Sequence, residues 1–540
     1  MKNPPTMLAV YKRGDAFLSL MWGGPPGPRP TPSAASVSCV MAQPDQGVRR
    51  GRGRPPHYEL FALLISAVLF STACMVGPKY QRPVAPPSAA YKEPLPEGWK
   101  EAQPSDGALR GKWWEIYNDP DLNALEEQVN LSNQNILSAE AQYREARDAV
   151  RIARSGLFPT ISGSASIVNS KTSGTLVNGK VSAFVPGTRT DYNLPLDLSY
   201  QADIWGSIRR TVRQSAETAQ LSAAQLENAR LTFHSELALD YFQLRGSDSA
   251  RDLLETTVKS YQEYLELTQN RVKSGVASGS DVAQAQAQLE TARAQLIDLG
   301  VARAQFEHAI AILVGKPPSE VSIARAPIKS EPPVVPIGVP STLLERRPDI
   351  AAAEREMAAS NEQIGIARAA FFPALTLSAT AGLESSSFVN WFTWPSRFWS
   401  VGPQMAETLF DAGRRHAQSD QAQAAFDVTV ANYRQTVLTG FQQVEDNLAA
   451  LRVLAEEAHA EQAAVQAAED ALRISTYQYK AGIVSYLQVI TSQEIALQDE
   501  RTAVDILTRR MVASVALIEA LGGGWDAATL PSVADVIQGK

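Results

Sequence analysis

Two runs of 68 residues without a proline, 207–274 and 414–481, each stop at a glycine and return through a second proline-free run of 39, 276–314 and 483–521. At 1.5 Å per residue a continuous helix over either long run extends about 100 Å. The glycines that punctuate the first hairpin, Gly206, Gly275 and Gly315, recur as Gly413, Gly482 and Gly522 at a constant offset of 207. Upstream of each long run, Ala-Arg-Ser-Gly-Leu-Phe-Pro-Thr-Ile at 153–161 returns as Ala-Arg-Ala-Ala-Phe-Phe-Pro-Ala-Leu at 367–375, an offset of 214. The chain therefore carries one long helical hairpin twice. The fold class this predicts is mainly α with a small β part, elongated and internally duplicated.

Within the first long run, Leu221, Leu226, Leu231, Leu237, Leu239 and Phe242 recur at helical spacing among Ala, Gln, Ser and Thr. Small residues between apolar ones allow close helix approach, as in a coiled-coil wall. Periodicity alone leaves a soluble coiled-coil scaffold as an alternative. The segments between the helices argue otherwise. Ile-Ser-Gly-Ser-Ala-Ser-Ile-Val at 161–168 and Leu-Pro-Leu-Asp-Leu-Ser-Tyr at 194–200 change to period two, and strands of roughly 9–11 residues suffice to cross a membrane in a barrel. The second half offers a matching pair, bracketed by Phe388, Trp391, Phe392, Trp394, Phe398 and Trp399. Aromatic side chains gather at membrane interfaces, so Trp391, Phe392, Trp394, Phe398 and Trp399 are read as interface residues, with a core or protein contact as the alternative. Four strands cannot close on themselves, and open edges in lipid leave backbone groups unsatisfied. Other copies must complete the sheet; three copies give twelve strands, and four would satisfy closure nearly as well.

The net charge is −7, yet residues 1–73 hold eight Lys/Arg against three Asp/Glu, leaving the rest at −12. An acidic body argues against a general nucleic-acid binder. The Arg-Gly-Arg-Pro at 52–55 resembles a minor-groove arm, but those arginines flank an 11-residue apolar run at 60–70 that is followed by Ser-Thr-Ala-Cys. Basic, apolar and small residues in that order make a signal peptide. The cysteine that closes it, Cys74, reads as a lipidation site, with Ser71 where a lipobox usually has leucine; an ordinary signal peptide is the alternative. Translation is expected to begin at Met41, since 41–74 has signal-peptide length. The two cysteines, Cys39 and Cys74, lie outside the repeats, and no disulfide framework or cysteine-based metal site is expected.

Several short matches carry a family resemblance. They are Cys-Met-Val-Gly-Pro-Lys-Tyr-Gln-Arg-Pro at 74–83, Trp113-Trp114 with Asp-Pro-Asp-Leu at 119–122, Leu-Leu-Glu-Arg-Arg-Pro-Asp-Ile at 343–350 and Phe-Asp-Ala-Gly-Arg at 410–414. Together they resemble outer-membrane factors of the NodT/OprM-like lipoprotein type, the TolC-type exit ducts of tripartite efflux pumps, over about residues 74–525. The resemblance implies a homotrimer with a β-barrel in the outer membrane of a Gram-negative bacterium, a periplasmic α-barrel and a mixed equatorial belt. It also implies a periplasmic adaptor, an inner-membrane transporter and outer-membrane lipid as partners, with small molecules such as drugs passing unchanged. An exit duct of type I protein secretion would share this fold. The implied organisation is an extension and signal peptide at 1–73, a lipid-anchored segment at 74–118, a first repeat at 119–315, a Pro-rich link at 316–342, a second repeat at 343–525 and a tail at 526–540.

On this reading the hairpin turns are the periplasmic tips, which close the duct and meet the adaptor. Gly275 and Gly482 suit the left-handed residue that ends a helix, and Ser278, Asp281 and Ser485 suit caps of the helices that follow. The resemblance further implies that Tyr479 and Asp281 help to hold the tips shut. Relatives carry acidic rings where this chain has Gln488 and Thr491, and some carry arginine where it has Val484; an apolar, hydrogen-bonded gate is expected instead. No nucleophile elbow, phosphate loop or His-Glu-x-x-His helix occurs. The five histidines are scattered, so no catalytic residue, cofactor or metal is expected.

Overall fold

A computed structural model describes residues 75–84, 91–93, 111–171, 187–335 and 343–539. Met41 and Cys74 lie outside the described residues. In chain order the elements are α1 (Pro120–Ser132), α2 (Gln134–Ser155), β1 (Thr160–Gly163), β2 (Ser166–Ser170), β3 (Arg189–Ala202), α3 (Ser207–Lys273), α4 (Gly279–Leu313), α5 (Leu343–Arg346), α6 (Pro348–Ala369), β4 (Ala374–Ser385), β5 (Arg397–Ala406), α7 (Arg414–Lys480), α8 (Tyr486–Ala520) and α9 (Val533–Gln538). The long helices α3 and α7 have 67 residues each and their returning partners 35 each. Both long helices run unbroken through their interior glycines. A methyl at Gly246 would overlap Thr508 of α8, so that glycine lets the two hairpins approach closely.

The duplication extends to how each hairpin is pinned. The Asn133 amide donates from Nδ2 to the Leu313 carbonyl at 2.8 Å, and Arg347, 214 positions later, donates from Nη1 to the Ala520 carbonyl at 2.9 Å. Each capping position thus satisfies a carbonyl orphaned at a helix end, once with an amide and once with a guanidinium. Midway along the helices, Trp113, Trp114 and Leu122 pack with Leu237, Tyr241 and Leu244 of α3 and with Val515, Leu517 and Ile518 of α8 in the main core.

Past a short 3-10 turn at Pro318–Glu320, the described part of the Pro-rich link is held by ionic side chains. Arg245, 3 % exposed, donates to the Ala324 carbonyl at 2.5 Å, and Arg303 donates to the Ile323 carbonyl at 2.7 Å. Asp248 accepts from the Ala326 N–H at 3.1 Å while pairing with Arg303 at 2.7 Å. At the C-terminus Val536 of α9 is buried with Val150 of α2 and Ala216 and Ala219 of α3. The segment read as a tail is therefore packed against the first repeat, with the Pro531 carbonyl accepting from Gln220 at 2.6 Å.

All the described strands join one antiparallel sheet in the order β1-β3-β4-β5, with β2 beside β1 on the same neighbour β3. The stretch read from sequence as one strand at 161–168 is broken between Gly163 and Ser166 into β1 and β2. The two halves meet along β3 and β4, whose register pairs Leu196 with Ala381, Asp197 with Thr380 and Leu198 with Ala379.

Candidate functional site

Strand pleating sorts this sheet into two chemically distinct faces. Along paired positions, Leu196, Ala381 and Trp399 fall in one row and Leu198, Ala379 and Val401 in the next row of the same face. The opposite face carries Asp197, Thr380 and Ser400, then Ser199, Ser378 and Gly402. Thr380 donates to Asp197 at 2.6 Å across the polar face. On the apolar face Trp399, Val401 and Met405 are 77 %, 71 % and 68 % exposed, and Leu196 is 59 % exposed. An uncovered apolar face backed by a polar one is the pattern of a barrel wall between lipid and water. No helix among the described residues is long and apolar enough to cross a membrane.

The aromatic cluster sits in and beside the β4–β5 connection. Phe392, Trp394 and Trp399 are exposed, and Phe398 is partly buried. Trp391 departs from the interface reading: it is 7 % exposed, donates from its indole nitrogen to the Leu383 carbonyl at 3.2 Å, and packs on Tyr192, Phe388 and Phe392. It serves as the core of the loop that presents its neighbours.

Where the sheet gives way to α3, a strap of chain is seated. The Val76 N–H donates to the Trp205 carbonyl at 3.2 Å, and Met75 lies against Gly206. Arg210 donates to the carbonyls of Val76 at 2.7 Å and Pro78 at 3.3 Å and pairs with Glu362 of α6 at 2.7 Å. Farther on, Arg82 pairs with Glu354 of α6 at 3.3 Å and donates to the Tyr433 hydroxyl of α7. The main-chain amides of Lys92 and Glu93 donate to Glu445 at 2.6 and 2.9 Å. The strap thus stitches α3, α6 and α7 together, and Cys74 directly precedes it.

At the far end of the long helices the two tips repeat one geometry. Gly275 has φ +74° and Gly482 φ +76°. The residue after each donates back into the helix, Val276 to the Arg271 carbonyl and Ile483 to the Gln478 carbonyl, both at 2.9 Å. This six-to-one closure needs a left-handed residue, which glycine adopts without strain. The following caps differ. Ser278 accepts from the Asp281 N–H while Asp281 accepts from the Ser278 N–H at 3.2 Å, a reciprocal capping box. Ser485 occupies the equivalent position but makes no side-chain cap; only the main-chain bond common to both tips remains, Gln488 N–H to the Ser485 carbonyl as Asp281 N–H to that of Ser278.

Behind the tips Tyr479 and Tyr486 are buried with ring centroids 5.3 Å apart, in a cluster with Tyr261, Leu265, Leu289 and Val489. Burial pushes the Tyr486 phenol up, reinforced by Tyr479. Arg271, from the last turn of α3, lies over the Tyr479 ring at 4.6 Å and donates to the Lys480 carbonyl at 3.2 Å, tying one tip to the other. Sequence reasoning missed Arg271, because its partners lie 208 and 209 positions away. Within this chain Asp281 is engaged in its own cap rather than with Tyr479. Gln488 and Thr491 are exposed on the first turns of α8, and Val484 is partly buried against the cluster. Among the described residues no group of three or more His, Cys, Asp or Glu is placed to hold a metal ion.

Comparison with known proteins agrees with this geometry. The model of the outer membrane efflux protein family matches residues 125–316 and 339–523. The chain is 30 % identical over 469 residues to the probable efflux pump outer membrane protein TtgC of Pseudomonas putida, covering 86 % of this chain and 96 % of that one. It is 29 % identical to the pyoverdine export outer membrane protein OpmQ of Pseudomonas aeruginosa, with the same coverage. Among solved structures, the outer-membrane channel OprN superposes with a TM-score of 0.76 at 28 % identity, covering 84 % of this chain and all of that one. The Campylobacter jejuni CmeC outer membrane channel superposes with a TM-score of 0.79 at 25 % identity, covering 86 % and 98 %.

Proposed function

Because the chain belongs to the outer membrane efflux protein family, we propose that it acts as the passive exit duct of a tripartite efflux pump, with three copies closing one pore. The observation that carries this is the two-faced sheet mounted on paired long hairpins. Among the described residues of one chain the outer edges of β1, β2 and β5 lack strand partners, and in lipid each such backbone group costs several kcal/mol. Joining β5 of one copy to the β1–β2 edge of the next removes every edge. The polar faces then line the pore, and the apolar faces meet outer-membrane lipid.

The remaining roles follow from position. Cys74, one residue before a strap seated at the sheet-to-helix junction, is the anchor, with acyl chains entering the adjacent leaflet. Exposed Phe392, Trp394 and Trp399, with Phe398, mark the opposite interface. The tips around Gly275, Ser278, Asp281, Tyr479, Gly482 and Ser485 gate the duct and receive a periplasmic adaptor, which links it to an inner-membrane transporter. Small molecules such as drugs pass without chemical change, so the chain supplies a route rather than a reaction.

Native mass spectrometry of the detergent-extracted membrane fraction tests this reading. A trimer whose mature chain begins at an acylated Cys74 is expected. An unlipidated monomer released without detergent would overturn both the pore and the anchor.

A further inference from the structure

Toward the tips, α3, α7 and α8 line a half-open pocket of about 450 Å³, with Asp252 at its exposed rim, whose lining is left chemically incomplete. Gln493 lines it at 2 % exposure, and neither atom of its amide has a hydrogen-bond partner. Tyr261, 5 % exposed, also lines it with an unpartnered hydroxyl. Buried polar groups in folded proteins are almost always satisfied, and unsatisfied ones that converge on one cavity call for an occupant. Two carboxylates, Asp252 and Glu500, also face this space. Neither has an ion-pair partner among the described residues, and no Lys or Arg lines the cavity. Glu500 is held above the usual carboxylate range by burial and then by the nearby Glu469. The rest of the wall joins an apolar patch of Leu253, Leu472, Ala496 and Leu497 to the hydroxyl residues Thr256, Thr257 and Ser260, beside the ring of Tyr264.

We propose that this cavity binds an amphipathic organic cation. An ammonium head would sit between Asp252 and Glu500 and against the tyrosine rings, whose faces attract cations. Its apolar body would lie on the leucines, and the Gln493 amide and Tyr261 hydroxyl would take up any polar substituent or the water that accompanies it. A divalent metal fits poorly, because hard cations require six or more oxygen ligands in a closed shell. The cavity is built within one chain, so the proposal stands whether or not three copies close a pore.

The test uses the full-length protein purified in detergent, with benzyltriethylammonium as probe and benzyl alcohol as its uncharged counterpart, measured by equilibrium dialysis. The native protein is expected to bind the cation saturably and the alcohol not at all. Glu500→Gln, which keeps shape and removes charge, is expected to weaken binding roughly tenfold, in keeping with a partly desolvated cation site. Gln493→Leu is expected to weaken it too; should that variant fold poorly, Tyr261→Phe interrogates the same polar wall. Absence of saturable binding to the native protein, or equal affinity in Glu500→Gln, would overturn the proposal and leave the cavity to water alone.

Discussion

Arg210, buried at 2 % exposure, donates from Nε to the main-chain carbonyl of Val76 at 2.7 Å, two residues after the cysteine that begins the mature chain on the present reading. The same guanidinium pairs with Glu362 at 2.7 Å. Removing one partner of a buried ion pair leaves the other charge uncompensated, at about 3–5 kcal/mol. Arg210→Met should therefore release the strap and destabilise the α3–α6 contact together. Hydrogen exchange over residues 75–80 is expected to accelerate strongly while the tips keep their protection. Unchanged exchange there would mean that the strap is held by something other than Arg210.

The two faces of the sheet predict opposite tolerance to charge. Val401 lies on the apolar face at 71 % exposure, whereas Ser400 shares a row with Thr380 and Asp197 on the polar face. Arg at a lipid-facing barrel position costs roughly 2–4 kcal/mol near the bilayer midplane. Val401→Arg is expected to lower the yield of heat-resistant, membrane-inserted protein, and Ser400→Arg to leave insertion intact while changing single-channel conductance. Equal insertion of the two variants would contradict the assignment of faces.

Much of this architecture was legible in the sequence because it rests on punctuation and period. Gly206, Gly275 and Gly315 and their counterparts mark helix ends whatever the tertiary context, and Leu194 to Tyr200 alternates as a half-exposed strand must. What the sequence hid depends on long-range contacts. The strap's seat comes from Arg210 meeting carbonyls 132 and 134 positions earlier, and the tip-to-tip tie comes from Arg271 meeting Lys480 209 positions later. Trp391 carries the same composition signal as Trp394, yet the loop turns one inward and the other outward. No period distinguishes them.

The tips offer an internal control. Ser278 and Ser485 occupy equivalent positions, but only Ser278 caps with its side chain, in a box completed by Asp281. Loss of an N-cap hydroxyl typically costs about 1 kcal/mol. Ser278→Ala is thus expected to loosen the first turn of α4, seen as faster proteolysis or hydrogen exchange at residues 276–284. Ser485→Ala should be nearly silent by the same measure. Similar losses in both would show that the two caps are equivalent in solution and that the asymmetry does not persist there.

The main core midway along the helices holds a buried pair, one member of which, His234, the sequence shows only as one of five scattered histidines. Glu126, fully buried, meets His234 Nδ1 at 2.6 Å beneath the stacked ring of Trp114, and His234 Nε2 meets Asn130 at 3.0 Å. Burial pushes the Glu126 carboxyl well above its ordinary 4.5, while burial, and then the charge of Arg230, pushes His234 from 6.5 down to about 4. Both shifts favour the uncharged forms, a protonated carboxyl beside a neutral imidazole. A raised carboxyl contributes stability that is present in acid and lost as pH climbs through its folded pKa. A lowered imidazole contributes stability that is present above 6.5 and lost as pH falls toward 4. Within the native protein the two contributions run in opposite directions as pH rises from 4.5 to 6.5. The imidazole contribution is common to both proteins, so the stability of the native protein relative to Glu126→Gln should decline as pH rises from 4.5 toward the folded pKa of Glu126, by at most roughly 1.4 kcal/mol per pH unit. Denaturant titrations of both proteins between pH 5 and 8.5 would measure the difference. Curves that stay parallel across that range would mean that the Glu126 carboxyl is not held above its ordinary range in the native state.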